Sequence, residues 1–171
     1  MKKLLGVLMI GLLTACASTT EQSADVEDRA IGANGGGAGD GSALGSGNPN
    51  FHPLQDPNSI LSQRSVYYDY DSYSVKNEYR ELVMSHARYL RDNANSKVLL
   101  QGNTDDRGSR EYNLALGQRR ADGVKNMMTL SGARDAQIES VSLGEEKPRA
   151  IGHDESSWSQ NRRTDIIYRG E

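Results

Sequence analysis

Apolar and polar positions change rhythm three times along the chain. Leu4 to Leu13 form a continuous apolar run of ten residues behind Lys2 and Lys3. From Ala17 to about Ser62 apolar residues thin out, with glycine at 32, 35, 36, 37, 39, 41, 45 and 47. From Ser65 onward the pattern becomes periodic. Ser65-Val66-Tyr67-Tyr68-Asp69-Tyr70 is aromatic and β-branched, a strand signal. Ser74 is placed to cap a helix whose apolar positions Tyr79, Leu82, Val83, His86 and Leu90 recur at steps of three and four, broken by Asn93-Ala94-Asn95-Ser96. Lys97 to Gly102 reads as a buried strand. A polar loop from Asn103 to Arg110 leads into a helix from about Tyr112 to Leu130, with an expected core stripe of Leu114, Gly117, Ala121, Val124 and Met128. Ser131-Gly132 ends that helix. Strands over 138–143 and 164–168 flank a loop with Pro148, Gly152 and Asp154 and a short helix over 156–160. The order βαβαβ(α)β predicts an α/β (α+β sandwich) domain, a mixed sheet with two main helices packed on one face.

Charge divides the chain at the same place. Residues 17–63 carry one basic and six acidic side chains, a net of −5, whereas residues 64–171 carry 17 of each. A neutral domain behind an acidic segment lacks the basic face that nucleic acid requires. It also lacks the polybasic stretch that draws a protein to anionic lipid. The glycine-rich segment has too little to bury to offset the entropy of ordering it, so it reads as a flexible linker with a coil dimension of roughly 35–40 Å. Pro49, Pro53 and Pro57 stiffen its exit. The ten-residue apolar run is too short to span a bilayer, which needs about 20 residues, and with its basic start it reads as a signal peptide. The expected organisation is a signal peptide over 1–15, an anchor and linker over 16–62, and a single domain over 63–171.

The one cysteine, Cys16, ends the tetrapeptide Leu13-Thr14-Ala15-Cys16 directly behind the apolar run. With no second thiol it has no disulfide partner in the chain. The tetrapeptide resembles a bacterial lipobox, which implies that Cys16 is acylated and becomes the mature N-terminus. Two or three fatty chains, at ~0.8 kcal/mol per buried CH₂, hold a protein on a membrane durably.

Candidate chemistry concentrates in two segments. Gly102-Asn103-Thr104-Asp105-Asp106-Arg107-Gly108 leaves the second strand and runs into Tyr112-Asn113-Leu114-Ala115-Leu116-Gly117-Gln118-Arg119-Arg120-Ala121, and Asn161-Arg162-Arg163 enters the last strand. Neighbouring Arg119 and Arg120 point ~100° apart on a helix, so only one of them faces any given hollow. Catalysis is disfavoured. His52, His86 and His153 have no zinc-ligand spacing, there is no Gly-x-Ser-x-Gly elbow, and Arg107 and Arg110 among Asp105, Asp106 and Glu111 favour ionised carboxylates over a protonated general acid. No cofactor or metal is expected.

With Tyr68-Asp69-Tyr70-Asp71-Ser72 ahead of the first helix, these blocks resemble the OmpA-like peptidoglycan-binding domain family, in the form carried by lipoproteins of the Tol system. The resemblance covers residues 65–169 in order and spacing. It implies binding of peptidoglycan through the meso-diaminopimelate of the stem peptide, with Asp105 on the ammonium and Arg120, fifteen residues later, on the carboxylate. Such a pair suits a zwitterion, since a carboxylate accepts charge-assisted hydrogen bonds and guanidinium grips a carboxylate with two parallel ones. The same matching implies neutral hydrogen bonds from Thr104 and Asn113, Arg163 completing the positive side, and Asp69 near the pocket mouth. Asn103 stands where the family usually has His. The implied protein partners are TolB and other Tol proteins. The implied place is the outer membrane, lipid-anchored, with the domain facing the periplasm and a role in envelope integrity and division. The alternative is a lipid-anchored periplasmic protein-interaction module with little wall binding.

Overall fold

The computed structural model describes residues 52–170. Cys16, the expected signal peptide and most of the expected linker lie outside them. Four strands, β1 (Ser65–Tyr67), β2 (Val98–Asn103), β3 (Ile138–Gly144) and β4 (Arg163–Tyr168), form one sheet in the order β1-β4-β2-β3. β2 and β3 run parallel, joined by the long helix α2 (Arg110–Leu130), and β4 runs antiparallel to both β1 and β2. The helices α1 (Asn77–Asp92) and α2 supply the other half of the core, and a short α3 (Glu155–Asn161) precedes β4. Val66, Val98, Leu100, Ile166 and Tyr168 from the sheet meet Leu82, Val83, Ala87 and Leu90 of α1 and Ala121, Val124 and Met128 of α2. Full burial of each such aliphatic side chain contributes ~1.5–3 kcal/mol.

Contact between α2 and the sheet is close because two glycines face each other. A Cβ on Gly102 would collide with the carbonyl of Gly117, and one on Gly117 would collide with Ser142 Oγ. Without side chains there, the helix backbone settles almost directly on β2 and β3. That depth fixes where the first turns of α2 stand relative to the ends of the strands.

The elements differ from the sequence-based expectations in four places. β1 stops at Tyr67, so Tyr68 is buried while Tyr70, expected on the same side, is 61% exposed in a turn. α1 starts at Asn77 rather than behind Ser74, because the preceding segment is held along α2 by the Ser72 carbonyl, which accepts from Arg120 Nε at 2.8 Å. In α2 the buried register is Asn113, Leu116, Gly117, Arg120, Ala121, Val124 and Met128, which leaves Leu114 half exposed. The packed part also reaches back before residue 63. Leu54 and Leu61 join the core, and Arg64 ties the segment down, donating to the carbonyls of Leu61 (2.7 Å) and Leu54 (2.9 Å) with its guanidinium 4.8 Å from the Tyr168 ring.

Candidate functional site

β2 ends in the loop Thr104 to Gly108, and Ser109 caps α2 by accepting from the Tyr112 amide at 3.2 Å. Gly108 takes φ +105°, a conformation that disfavours side chains, so the loop turns sharply back over the start of α2. Positions 113, 116 and 120 then share one helix face. They meet Asp105 from the loop, Tyr70 and Asp71 from the turn after β1, and Arg162 from the entrance to β4 around a hollow of about 190 Å³.

Arg120 is fully buried at the floor of this hollow. Within the described residues its guanidinium donates only to backbone carbonyls: Ser72 (2.8 Å), Asn103 (2.8 Å) and Asp69 (3.4 Å). Among the described residues no carboxylate lies within ion-pair distance of it, and its carbon sits 4.9 Å from the Tyr68 ring centre. Burial without such a counter-charge brings its pKa down to about 10, still cationic at neutral pH. Tyr68, buried beside it, is pushed up to about 12 by the same desolvation; its hydroxyl lies 3.0 Å from Thr164 Oγ1 and 3.3 Å from the Arg120 carbonyl. A buried cation held only by dipoles retains most of its attraction for an anion.

Asp105 is paired within the protein. One carboxylate oxygen accepts from Arg107 Nη2 (2.6 Å) and Arg162 Nη1 (3.2 Å), and the other from the Arg107 amide (3.3 Å). Burial pushes its carboxyl upward, but the bonds from Arg107 and Arg162 outweigh this and hold it below the ordinary aspartate value. Arg107 lies between two aromatic faces, 4.0 Å from the Tyr70 ring and 4.1 Å from the Trp158 ring, a cation–π sandwich at the edge of the hollow. Arg162 donates to the Tyr68 carbonyl (3.1 Å) and pairs with Glu155 of α3. Desolvation lowers its pKa, yet the bonds to Glu155 and Asp105 raise it overall.

The structure thus brings Asp105, Arg120 and Asn113 together. Asn113 is buried on the wall, donating to the Arg107 carbonyl (3.1 Å) and to Glu145 (2.5 Å). Three expected residues are placed elsewhere. Arg163 was expected to complete the positive side, but strand alternation turns it to the opposite face of the sheet. There it donates to Asp165 at 2.9 Å and to the carbonyls of Asn161 and Lys147. Arg162, one residue earlier, occupies the hollow instead. The side chain of Asp69 is exposed and paired with Lys76 at 2.7 Å, so only its carbonyl reaches the site. Thr104 lines a neighbouring depression, not this one. Asn103 also turns its side chain away, donating to the Gln101 carbonyl (3.0 Å) and Asp165 (3.4 Å). The residue that replaces the family's His therefore bears on the back of the sheet, and only its carbonyl supports Arg120.

Asp71 and Arg162 escaped the reading of the sequence. Asp71 lines the hollow in a left-handed conformation, φ +52°, and accepts from the Tyr112 hydroxyl. A non-glycine residue held there costs about 1–3 kcal/mol and marks a place where the surroundings dictate the backbone. Nothing in the local sequence separates Asp71 from Asp69. For Arg162 a signal existed, since residues 162, 164, 166 and 168 share the parity that faces the helices.

Comparison with known proteins identifies the family. Residues 67–162 match the OmpA family. The chain is 38% identical to a peptidoglycan-associated lipoprotein of Pasteurella multocida, over 98% of this chain and all of that protein. It is 41% identical to one from Pseudomonas putida, over 93% of this chain and 91% of the relative. The crystal structure of the peptidoglycan-associated lipoprotein from Burkholderia pseudomallei superposes with a TM-score of 0.68 at 58% identity, covering 69% of this chain and all of that one. The C-terminal domain of Helicobacter pylori MotB shares the fold alone, with a TM-score of 0.59 at 17% identity. Over most of its length, then, in sequence and in fold, the chain belongs to the peptidoglycan-associated lipoproteins of the OmpA family.

Proposed function

We propose that this protein is a non-catalytic tether between the outer membrane and the cell wall. Its domain holds the free zwitterionic end of meso-diaminopimelate in the hollow between Arg120 and Asp105. The observation that carries this reading is Arg120, a buried guanidinium met only by carbonyls and facing the same hollow as a carboxylate. A ligand carboxylate supplies the charge that Arg120 lacks, and the ligand ammonium meets Asp105 and Asp71. Requiring both ends rejects singly charged ligands, because a site group would otherwise stay desolvated and unpaired. Cys16 supplies the membrane end by acylation. Membrane confinement raises the effective concentration of the domain at the wall, so many weak attachments suffice, each free to break and re-form as the envelope grows. TolB and other Tol proteins are the protein partners on this reading, in the maintenance and constriction of the envelope. No described helix is long and apolar enough to cross a membrane, which agrees with a lipid anchor.

Retention of the full chain on purified peptidoglycan tests it, with soluble meso-diaminopimelate as competitor. Asp105→Asn is expected to lose at least tenfold in retention with little change in fold. Arg120→Ala would remove a donor from each of the carbonyls of Ser72, Asn103 and Asp69, so it is expected to lower stability as well; Arg120→Lys keeps the charge and serves as the milder variant. Equal retention of wild type and Asp105→Asn would defeat the proposal. A second reading, a protein-interaction module with little wall binding, draws on one observation: Asp105 is already paired with Arg107 and Arg162. Wall retention that diaminopimelate fails to compete away would favour it.

A further inference from the structure

The loop after β2 is a wall with two sides. Successive residues of an extended segment point in opposite directions. Asp105 faces the hollow described above, while Thr104 and Asp106 face a second one of about 140 Å³. Consecutive Cα atoms lie about 3.8 Å apart, so the two hollows are next-door neighbours. They are joined again at Asn113, which lines the first and donates at 2.5 Å to Glu145, which lines the second.

The second hollow holds a polar group with nothing to bond. Thr104 is 97% buried (3% exposed), its amide is fixed on the Gly144 carbonyl at 2.9 Å, and its Oγ1 has no hydrogen-bond partner among the described residues. An orphaned buried hydroxyl has given up its bonds to water without replacing them, so a partner that supplies one is favoured. Opposite it stand Pro148, Ala150 and Ile151, and Ile151 is 97% exposed. Asp106 and Glu145 put two carboxylates on the rim, Asp106 held by the His153 ring (2.5 Å) and Trp158 Nε1 (2.6 Å), and Glu145 by Asn113. The chemistry that fits is an amide, to bond the threonine hydroxyl, carrying a short apolar side chain for the proline–alanine–isoleucine wall. A free carboxylate fits less well than an amide, because two carboxylates already share the rim with a single histidine. At ~30 Å³ per water-sized unit the volume holds about four or five such units, the size of one small residue with its amide.

We propose that this second hollow binds the residue amide-linked to the diamino acid, and that it prefers peptide that continues as an amide over peptide that ends there in a carboxylate. This rests on the reading of the first hollow as the diamino-acid site and adds a ligand class to it. The protein would then read two adjacent units of the stem peptide, one by charge and one by amide and shape, and would discriminate between stems by how they are extended.

Calorimetric titration of the full-length chain with three synthetic probes tests this. Each is meso-diaminopimelate acetylated on the amine of one end, with the carboxyl of that end converted to the methylamide, to alanine amide or to alanine. The alanine amide is expected to bind about fivefold more tightly than the methylamide, and the alanine acid to lose that gain. Thr104→Val, which keeps the shape and removes the hydroxyl, should abolish the gain while leaving methylamide affinity unchanged. Asp106→Asn should raise the acid toward the amide. Equal affinity for all three probes with wild type overturns the second hollow while leaving the first intact. A gain that survives Thr104→Val also overturns it. If no probe binds and Asp105→Asn retains peptidoglycan normally, the first hollow fails and the second falls with it.

Discussion

The two ends of the sheet bury polar groups in opposite ways. Where β4 begins, Asp105, Asn113, Arg120 and Arg162 converge on a hollow, and Arg120 is matched only by carbonyls. Where β4 finishes, His86 is locked between the Tyr168 hydroxyl (3.0 Å) and the Gln63 carbonyl (2.9 Å), while Leu54 and Leu61 pack into the adjoining core. Both ends are buried and hydrogen-bonded. They differ in whether any charge is left for an outside partner. Polar burial alone therefore does not mark a site; a buried charge lacking its counter-charge does. The first described residues, 52–64, pack at the closed end, at the opposite end of the strands from the hollow.

The sharpest way to break this contrast is to exchange the two arginines at the start of β4. Arg162→Ala removes a guanidinium from Asp105 and Glu155 and is expected to cut peptidoglycan retention about tenfold. Arg163→Ala acts on Asp165 behind the sheet and should lower the unfolding midpoint with retention per folded molecule unchanged. Pull-down and denaturant titration on both variants check this, and the reverse pattern would remove Arg162 from the site.

At the closed end, Leu61→Ala is expected to cost about 2–5 kcal/mol of stability by opening a cavity, again without weakening binding by the folded fraction. Urea unfolding with and without meso-diaminopimelate separates the two effects. Equal loss of binding and stability would show that the ends are not independent.

Acid pH weakens the pairing at the hollow. The folded pKa of Asp105 lies below its ordinary value, so its pairing contributes stability that is whole above the ordinary aspartate range and is lost as pH falls through the lowered value. The gap in urea midpoint between wild type and Asp105→Asn should therefore stay constant from neutral pH to about 5 and shrink below about 4. A gap that narrows already near pH 6 would contradict the pairing.

The smallest expected effect is at Asp69. Its exposed side chain pairs only with Lys76, so Asp69→Asn should change stability by under about 1 kcal/mol and leave retention unaltered. A large loss of retention would return Asp69 to the site.

Much of this was legible in the residues themselves. The helix face of Leu82, Val83, His86 and Leu90, the strands with their β-branched and aromatic runs, and the order of elements follow from periodicities of 3.6 and 2, which the backbone imposes wherever one side is buried. The spacing that carries Asp105 and Arg120 is likewise fixed along the chain. The start of the packed domain was not legible, because the prolines at 53 and 57 mask the contribution of Leu54 and Leu61.

Tertiary structure alone decided which charges meet. Whether Arg162 or Arg163 turns inward depends on the register of β4 against β1 and β2, and a shift of one residue would reverse it. Asp71 rather than Asp69 reaches the hollow because the chain after β1 is folded back onto Arg120 and Tyr112, which forces its backbone into the left-handed region. Sequence set the kinds of residue and their local faces, since those depend on neighbours a few positions away. The meeting of Arg120 and Arg162 with the segment after β1, and of Arg162 with Asp105, depends on contacts between residues 50 to 100 positions apart, and only the folded chain brings those together.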